Sequence, residues 1–359
     1  AKHPEMAGSL NKLGKLLLIQ GDYGTARIYF ERALAIQEEV LGSKHPDTAE
    51  SLNNLGELLL VLNDYAASRY CFERALAIRE AVFQINHPKI AESLNNLGYL
   101  LQLEGKYASA RPYYERALAM QVEVLGTAHP ELSFSLMHLG TLMLGRNEYV
   151  NARTYFEKAL AIQEEVLGAK HPSITFSLSG LGAVLYNQGD YVASRAYLER
   201  ALKVQEELFG VKHPNTSAIL SNLGALLIAQ SDYASARLYF ERALAIQKEL
   251  LGDKHLNIIT ILNSLGFLLM SQKDYTTARL YFEQALAIQE EVLGMKHPDT
   301  IASLNNLGNL LKVKGGYAGA HFYYKRALEI QEEVLGAKHP NIATSLSNLG
   351  SLLYSQADY

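Results

Sequence analysis

The chain has 359 residues, of which 48% are apolar, and its formal net charge is −4. This balance excludes the strongly basic footprint of a nucleic-acid-binding domain, and no run of 18 apolar residues is present to span a membrane. The one cysteine, Cys71, cannot form an internal disulfide, and no signal-peptide pattern opens the sequence, so we expect a cytoplasmic protein.

A histidine, usually followed by proline, returns every 42 residues along the whole sequence. The histidines are His3, His45, His87, His129, His171, His213, His255, His297 and His339, and only His255 is followed by leucine, Leu256. A period of this length predicts a solenoid whose repeats pack on their neighbours. We expect one array over 1–359, with repeats starting at 3, 45, 87, 129, 171, 213, 255 and 297 and a half repeat at 339–359. Neither end resembles a polar capping repeat, so we expect a piece of a longer array.

The pattern within one repeat predicts two helices joined by a short turn. In the repeat at 45–86, Pro46 suits the first turn of a helix, and leucines spaced three and four residues apart continue it to about Val61. Asp64 is a good N-cap for a second helix that begins near Tyr65. In most repeats a glycine such as Gly42 follows that helix and predicts a left-handed stop. Cys71 stands where most repeats have tyrosine and is interpreted as a core residue.

A glycine occupies the middle of every first helix, where it costs about 1 kcal/mol relative to alanine. These glycines are Gly14, Gly56, Gly98, Gly140, Gly182, Gly224, Gly266, Gly308 and Gly350. We expect them to let the second helix approach closely, through facing small residues such as Ala26 and Ser68.

Leu-Gly in the first helix, Gly-Asp-Tyr at the turn and Arg-Ala-Leu in the second helix resemble the tetratricopeptide repeat. The 42-residue length and the loop Leu-Gly-x-Lys-His-Pro are similar to the kinesin light chain type, as in His297-Pro298-Asp299-Thr300 followed by Leu304-Asn305-Asn306-Leu307. The mid-helix glycine departs from the family, which often has alanine there. The resemblance implies an all-α, right-handed superhelical solenoid of antiparallel helix pairs. It also implies that the first helices line a concave groove that binds extended or helical peptides.

Asparagines recur at two adjacent positions of the first helices and are the leading candidates for binding. The first position holds Asn11, Asn53, Asn95, Asn263 and Asn305, and the second holds Asn54, Asn96, Asn222, Asn306 and Asn348. A primary amide can donate to and accept from a peptide backbone whatever the ligand's sequence. The alternative is a hydrogen bond between helices that fixes their stacking. We favour the groove for the first position and the stacking role for the second.

The asparagines are interrupted in the middle of the chain by Met137-His138 and Ser179-Gly180. Nearby positions that we expect to face the groove are apolar there: Phe134, Met137, Phe176, Tyr186, Ile228, Phe267 and Met270. The end repeats instead carry polar groups such as Glu50, Glu92, Lys15 and Lys312. An apolar patch flanked by amides suits a partner with one or two anchoring side chains. The alternative is that some of these side chains pack against neighbouring helices.

The second helices carry an arginine in almost every repeat, and glutamate follows it four residues later. The arginines are Arg27, Arg69, Arg111, Arg153, Arg195, Arg237 and Arg279, and His321 interrupts the series. We expect solvated ion pairs rather than a phosphate-binding row. The repeat histidines lack ligands at metal-site spacing, so we expect a loop role, no metal and no cofactor.

No nucleophile and base stand apart from the repeat, so we expect no enzyme. The sequence predicts a scaffold that binds a protein or peptide through the first helices, without nucleic acid or membrane. The alternative is a structural spacer that associates weakly head to tail through uncapped ends.

Overall fold

The computed structural model describes residues 4–83, 86–335 and 342–357. Helices occupy 83% of these residues, and they contain no strand. The predicted all-α class is therefore confirmed. The repeat histidines His3 and His339 lie outside the described residues. Within the described part of the chain, no helix is long and apolar enough to cross a membrane.

The chain divides into two compact units, Ala1–Val204 and Gln205–Tyr359. The first helices of the N-terminal unit are α1 (Pro4–Gln20), α3 (Pro46–Val61), α5 (Pro88–Leu103), α7 (Leu132–Gly145) and α9 (Ile174–Asn187). Its second helices are α2 (Tyr23–Val40), α4 (Tyr65–Val82), α6 (Tyr107–Leu125) and α8 (Tyr149–Leu167). Consecutive helices pack against each other from α1 to α9.

The helix α10 (Tyr191–Phe209) begins in the N-terminal unit and ends in the C-terminal unit. The first helices of the C-terminal unit are α11 (Pro214–Ala229), α13 (Ile258–Ser271), α15 (Thr300–Val313) and α17 (Ile342–Ala357). Its second helices are α12 (Tyr233–Leu251), α14 (Tyr275–Leu293) and α16 (Tyr317–Leu335). Consecutive helices also pack from α11 to α17. The single array over 1–359 stays a prediction.

Proline opens the first helix in only some of the repeats. The helices α1, α3, α5 and α11 begin at proline, as predicted. In α7, α9 and α15 the helix begins two residues after the proline, so the predicted start is wrong there. The intervening turn is closed by bonds between residues three apart, as from the Ser133 N–H to the Pro130 carbonyl at 3.0 Å. This tighter turn delays the α-helical hydrogen-bonding pattern.

Each described repeat histidine accepts a hydrogen bond at the start of a first helix. The Nδ1 atom of His87 accepts the Lys89 N–H at 3.1 Å, and that of His213 accepts the Asn215 N–H at 3.1 Å. The other histidines in this role are His45, His129, His171, His255 and His297. An imidazole nitrogen that accepts a backbone N–H cannot also hold a metal. At His45, His87 and His213 the predicted loop role is thus helix capping, which sequence reasoning did not find.

The ends of the second helices follow the predictions in part. The Asp64 carboxylate accepts the Ala67 N–H at 3.1 Å, which confirms it as the N-cap of α4. Glycines after the second helices have positive φ, as predicted, and Gly126 has φ 81° and ψ 173°. That ψ is extended, so the stop is not the left-handed helical conformation that we expected. Cys71 is buried, and burial raises the pKa of its thiol to about 11, which fits a core residue.

An aromatic ring, and not an alanine, occupies the space beside most mid-helix glycines. A Cβ atom at Gly266 would lie 2.4 Å from the ring of Phe282, and one at Gly56 would lie 2.6 Å from the ring of Phe72. The expectation that small residues alone face the glycines is therefore incomplete. Ser68 does lie against the Gly56 backbone, since its hydroxyl donates to the Gly56 carbonyl at 2.8 Å. The glycine thus makes room for the buried ring of the second helix.

Gly266→Ala is expected to destabilise the repeat formed by α13 and α14 by about 1–2 kcal/mol, because the Phe282 ring is fully buried and cannot move aside freely. The control is Gly8→Ala within α1, since nothing lies within 4 Å of a Cβ there. That change should stabilise α1 by about 0.5–1 kcal/mol through helix propensity. Hydrogen exchange resolved by segment measures both effects. Equal stabilisation by the two substitutions would contradict the packing role of the ring.

Candidate functional site

Glutamines near the ends of three second helices join a repeat to the next one. The serine hydroxyl of Ser135 donates to the Gln121 carboxamide oxygen at 2.7 Å, and Ser177 donates to Gln163 at 2.8 Å. Ser51 makes the same contact with Gln37. These bonds are buried, so each holds one first helix on the preceding second helix and contributes about 1 kcal/mol.

The first asparagine position extends these contacts in the N-terminal unit. Asn11 donates to the Ser51 hydroxyl at 2.7 Å, and Asn95 donates to the Ser135 hydroxyl at 3.0 Å. Asn11, Asn53 and Asn95 are buried, whereas Asn263 and Asn305 are half-buried. A buried amide that already bonds the next repeat has little surface left for a ligand. The structure thus favours the stacking alternative for Asn11, Asn53 and Asn95.

The second asparagine position donates back to the first position of the preceding repeat. Asn96 donates to the Asn53 oxygen at 2.8 Å, and Asn306 donates to the Asn263 oxygen at 3.3 Å. Asn348 makes the equivalent bond to Asn305 at 3.3 Å. These contacts match the stacking role that we favoured for this position. Asn54 is buried, while Asn222 is exposed on α11 and keeps its amide surface open to solvent.

A buried arginine organises the polar groups around Asn53. Arg79 stands where the other repeats have glutamine and is only 1% exposed. Its Nη1 donates to the Lys89 carbonyl at 2.9 Å and to the Ser93 hydroxyl at 2.7 Å, and its Nη2 lies 3.6 Å from Glu92. Burial opposes ionisation of Glu92, but Arg79 and Lys89 lower the pKa of this carboxyl on balance. The cation and its partners form a tie between α4 and α5.

An aromatic face lies on the first helices of the N-terminal unit, and we define it as Tyr99, Phe134, His138 and Phe176. Phe134 and Phe176 occupy equivalent positions on α7 and α9, which are in contact, and they are 52% and 56% exposed. His138 lies edge-on to Phe134, with ring centroids 4.5 Å apart, and stacks on the buried Tyr114 at 5.1 Å. Tyr99 lies 5.8 Å from the same imidazole. Half-exposed rings held by a packed histidine form a preorganised apolar surface.

Burial and the absence of an opposite charge determine the protonation of His138. Desolvation lowers the pKa of its imidazole to about 4, so the ring is neutral at pH 7. Sequence reasoning found Phe134 and Phe176 but missed Tyr99 and the part played by His138. The sequence does mark His138, because this residue replaces the asparagine of the second position and is one of only two histidines outside the repeat position.

The remaining apolar candidates are placed differently. Met137 and Tyr186 are half-buried, and the Gln163 amide donates to the Met137 sulfur at 3.7 Å. In the C-terminal unit Met270 packs against the core around α14 and α15, while Phe267 is half-exposed and lies edge-on to Phe282. The packing alternative therefore describes Met137 and Met270 well, and Phe267 remains open to a ligand.

The arginines of the second helices pair as predicted in six repeats. Arg27 lies 2.7 Å from Glu31 and Arg237 lies 2.7 Å from Glu241, with equivalent pairs at Arg111, Arg153, Arg195 and Arg279. Arg69 is the exception, since it pairs with Glu104 of the next repeat. Such exposed pairs contribute little to stability. The glutamates of these pairs also neutralise the row of arginines, so the row does not form a phosphate-binding surface.

A second set of ion pairs joins consecutive second helices. Arg74 lies 2.5 Å from Glu38, Arg116 lies 2.7 Å from Glu80, and Arg326 lies 2.5 Å from Glu290. Arg200 with Glu164 and Arg242 with Glu206 make the same contact. At the two other junctions both members of the pair are replaced. Valine and lysine, at Val122 and Lys248, take the place of the glutamate, and Lys158 and Gln284 take the place of the arginine. Sequence reasoning missed this series because it joins residues 36 positions apart.

These helix pairs, tied to one another by recurring glutamine, serine and asparagine contacts, define an all-α repeat protein. The tetratricopeptide repeat family model matches residues 5–81, 89–165, 145–191, 173–249, 257–333 and 317–359. The chain belongs to the tetratricopeptide repeat family, as its motifs indicated. Among curated protein sequences, none matches it.

Solved structures similar to this chain include kinesin light chain-like repeat proteins. BtubC (BKLC) from P. vanneervenii is 22% identical with a TM-score of 0.50, over 65% of this chain and 91% of that chain. A putative kinesin light chain with nearly identical TPR-like repeats from Podosopora anserina is 23% identical with a TM-score of 0.48, over 58% and 99% of the two chains. Aspartyl phosphate phosphatase F from Bacillus subtilis is 15% identical with a TM-score of 0.58, over 86% and 76%. At these identities the likeness shows the fold alone.

Proposed function

We propose that this chain is a protein-interaction scaffold that holds a peptide segment of a partner against the exposed side of its first helices. The observation that carries the proposal is the aromatic face, because large rings in the core of the same unit, such as Phe72 and Phe156, are fully buried while Phe134 and Phe176 are about half exposed. Exposed rings on a rigid support are the usual anchors of a binding surface.

The polar residues have two different roles in this proposal. Asn11, Asn53 and Asn95 act mainly as buried ties that keep the first helices in register. Asn222, Asn263, Asn305, Asn306 and the half-buried Asn96 keep amide surface that can bond a peptide backbone. No catalytic step is part of the proposal, and the scaffold carries no cofactor.

The test is a selection of displayed peptides on the purified chain, followed by calorimetry with the best binders. Phe176→Ala and Phe134→Ala should weaken binding about three- to tenfold and change which peptides are preferred, because each removes a wall of the anchor site. The control is Phe322→Ala on α16, a ring that is 60% exposed but lies on a second helix. Normal binding by both variants, with loss in the Phe322→Ala control, would refute the proposed face.

The alternative function is a spacer that self-associates, and it predicts a different result for the same purified chain. It predicts no selected peptide and a mass that grows with concentration in light scattering. A constant mass together with selected peptides supports the scaffold.

A further inference from the structure

The C-terminal unit contains a cavity of about 510 Å³ between the N-terminal halves of α11 and α13. Its polar lining includes Ser221, Asn222, Thr260 and Gln247, and no lysine, arginine, aspartate or glutamate lines it. Ala218 and Thr260 stand at the positions that Phe134 and Phe176 occupy in the N-terminal unit. Small side chains therefore leave a hollow on the same side of the first helices where the other unit presents rings.

Two exceptions to the repeat meet in this cavity. Ile261 stands where Ser135 and Ser177 bond the glutamine of the preceding helix, and Leu256 stands where every other repeat has proline. Both side chains line the cavity, so they form its apolar wall. Ile261 has no hydroxyl that could donate to Gln247, the glutamine of this junction.

Gln247 is a buried amide with unused hydrogen-bonding capacity, as are Gln205 and Gln289, and it is the one of the three that lines this cavity. It is 6% exposed, its Oε1 has no hydrogen-bond partner, and its Nε2 lies 3.5 Å from the Pro214 carbonyl. An unpartnered buried carbonyl is unfavourable, so a donor that reaches it is held strongly. The oxygen is covered by its surroundings, so binding at this atom requires rotation about the terminal torsion of glutamine, which is soft.

We propose that this cavity binds a glutamine side chain of a partner peptide. The ligand's amide N–H would donate to Gln247, its oxygen would accept from Asn222 or Thr260, and its methylenes would lie against Leu256 and Ile261. A lysine would bring a charge into a cavity lined by no anion, and a glutamate would bring a carboxylate without an N–H donor. This inference rests on the proposed scaffold function, because the ligand is part of the partner peptide. It adds to that function a preference for glutamine at one position of the peptide.

The first experiment uses small probes on the whole chain, followed by NMR. The probes are N-acetylglutamine amide and the matched amides of methionine, glutamate and lysine. The glutamine probe should shift the signals of Gln247, Asn222 and Thr260 and bind about tenfold more tightly than the methionine probe. Equal binding by the glutamine and methionine probes would overturn the proposal.

Three variants separate the cavity from the core. Ile261→Ser restores the hydroxyl that bonds Gln247 and should abolish the preference for glutamine. Ile219→Ser is the matched control, because this buried isoleucine holds the same position in the preceding repeat and does not line the cavity. Ala218→Leu fills the cavity from an exposed position, so it should abolish binding without disturbing the fold. A preference that survives Ile261→Ser and Ala218→Leu contradicts the assignment.

The peptide selection tells failure of this inference apart from failure of the scaffold proposal. Selected peptides should carry glutamine at one position, and the enrichment should vanish on Ile261→Ser. Peptides that depend on Phe176 but show no glutamine preference would refute the cavity assignment alone. No selected peptide, together with a clear preference for the glutamine probe, would refute the scaffold and leave the cavity.

Discussion

Arg79→Met is expected to destabilise the tie between α4 and α5 by about 2–4 kcal/mol. The change leaves the Lys89 carbonyl and the Ser93 hydroxyl without their buried donor, and it removes the cation beside Glu92. Removing one partner of a buried polar group costs its full desolvation, which exceeds the net value of the bond itself. Glu92 is 39% exposed, so its ion pair contributes the smaller share.

Arg79→Gln is the matched control, because glutamine is what the other repeats have there. It can still accept the Ser93 hydroxyl, as Gln121 accepts Ser135, and should cost about 1 kcal/mol. Repeat arrays unfold in parts, so hydrogen exchange in α4 and α5 is the appropriate measurement. Protection in Arg79→Met equal to that of the parent chain would show that Arg79 is not a tie.

The stability of the N-terminal unit is expected to fall by about 3 kcal/mol as the pH falls from 6.5 to 4. Burial lowers the pKa of His138 from 6.5 to about 4, so in this range the unfolded chain binds a proton that the folded chain does not. Each unit of pKa difference corresponds to about 1.4 kcal/mol, and the sign is a loss of stability on acidification. The rings of Tyr99, Tyr114 and Phe134 that surround His138 supply no negative charge at these pH values to offset the cost.

His138→Asn isolates this contribution, since Asn54 and Asn96 occupy the same position in other repeats. The variant should lose less stability than the parent chain between pH 6.5 and 4, measured by urea denaturation followed through hydrogen exchange in α5–α8. His321→Asn, at an exposed position of α16, controls for the loss of an imidazole elsewhere. An unchanged pH dependence in His138→Asn would contradict the buried, neutral histidine.

The periodic sequence predicts the helices well, because their signals are local. Asp64 caps α4, glycine follows the second helices and leucines face inward for reasons that are visible within a few residues. The contacts that each side chain makes with neighbouring helices were harder to infer from the sequence than the helices themselves. The ring of Phe282 beside Gly266 and the burial of Asn53 depend on contacts between helices, which a repeat pattern does not specify.

The candidate site was predicted in part for the same reason. Phe134 and Phe176 stand out as exceptions to the repeat and are exposed, whereas Met137 is equally exceptional and is half-buried. The cavity in the C-terminal unit depends on the loss of a hydroxyl at Ile261 and on small side chains at Ala218 and Thr260. Comparing repeats position by position across each junction, and not only along one helix, would have found it.

The ion pairs between consecutive second helices limit which repeats can be neighbours, because two junctions lack the common pair. Five junctions pair arginine with glutamate, but one has Lys248 and the neutral Gln284 at the equivalent sequence positions, and Lys248 lies 3.1 Å from Asp253 of its own repeat. Excising the repeat at 255–296 would place Arg326 at the position opposite Lys248, so two cations would meet where a compatible pair stood. Single pairs of this kind contribute little energy, yet they distinguish correct neighbours from wrong ones. Although the repeats look like copies, they are not interchangeable, and the chain can gain or lose a whole repeat cleanly only at boundaries whose charges remain matched.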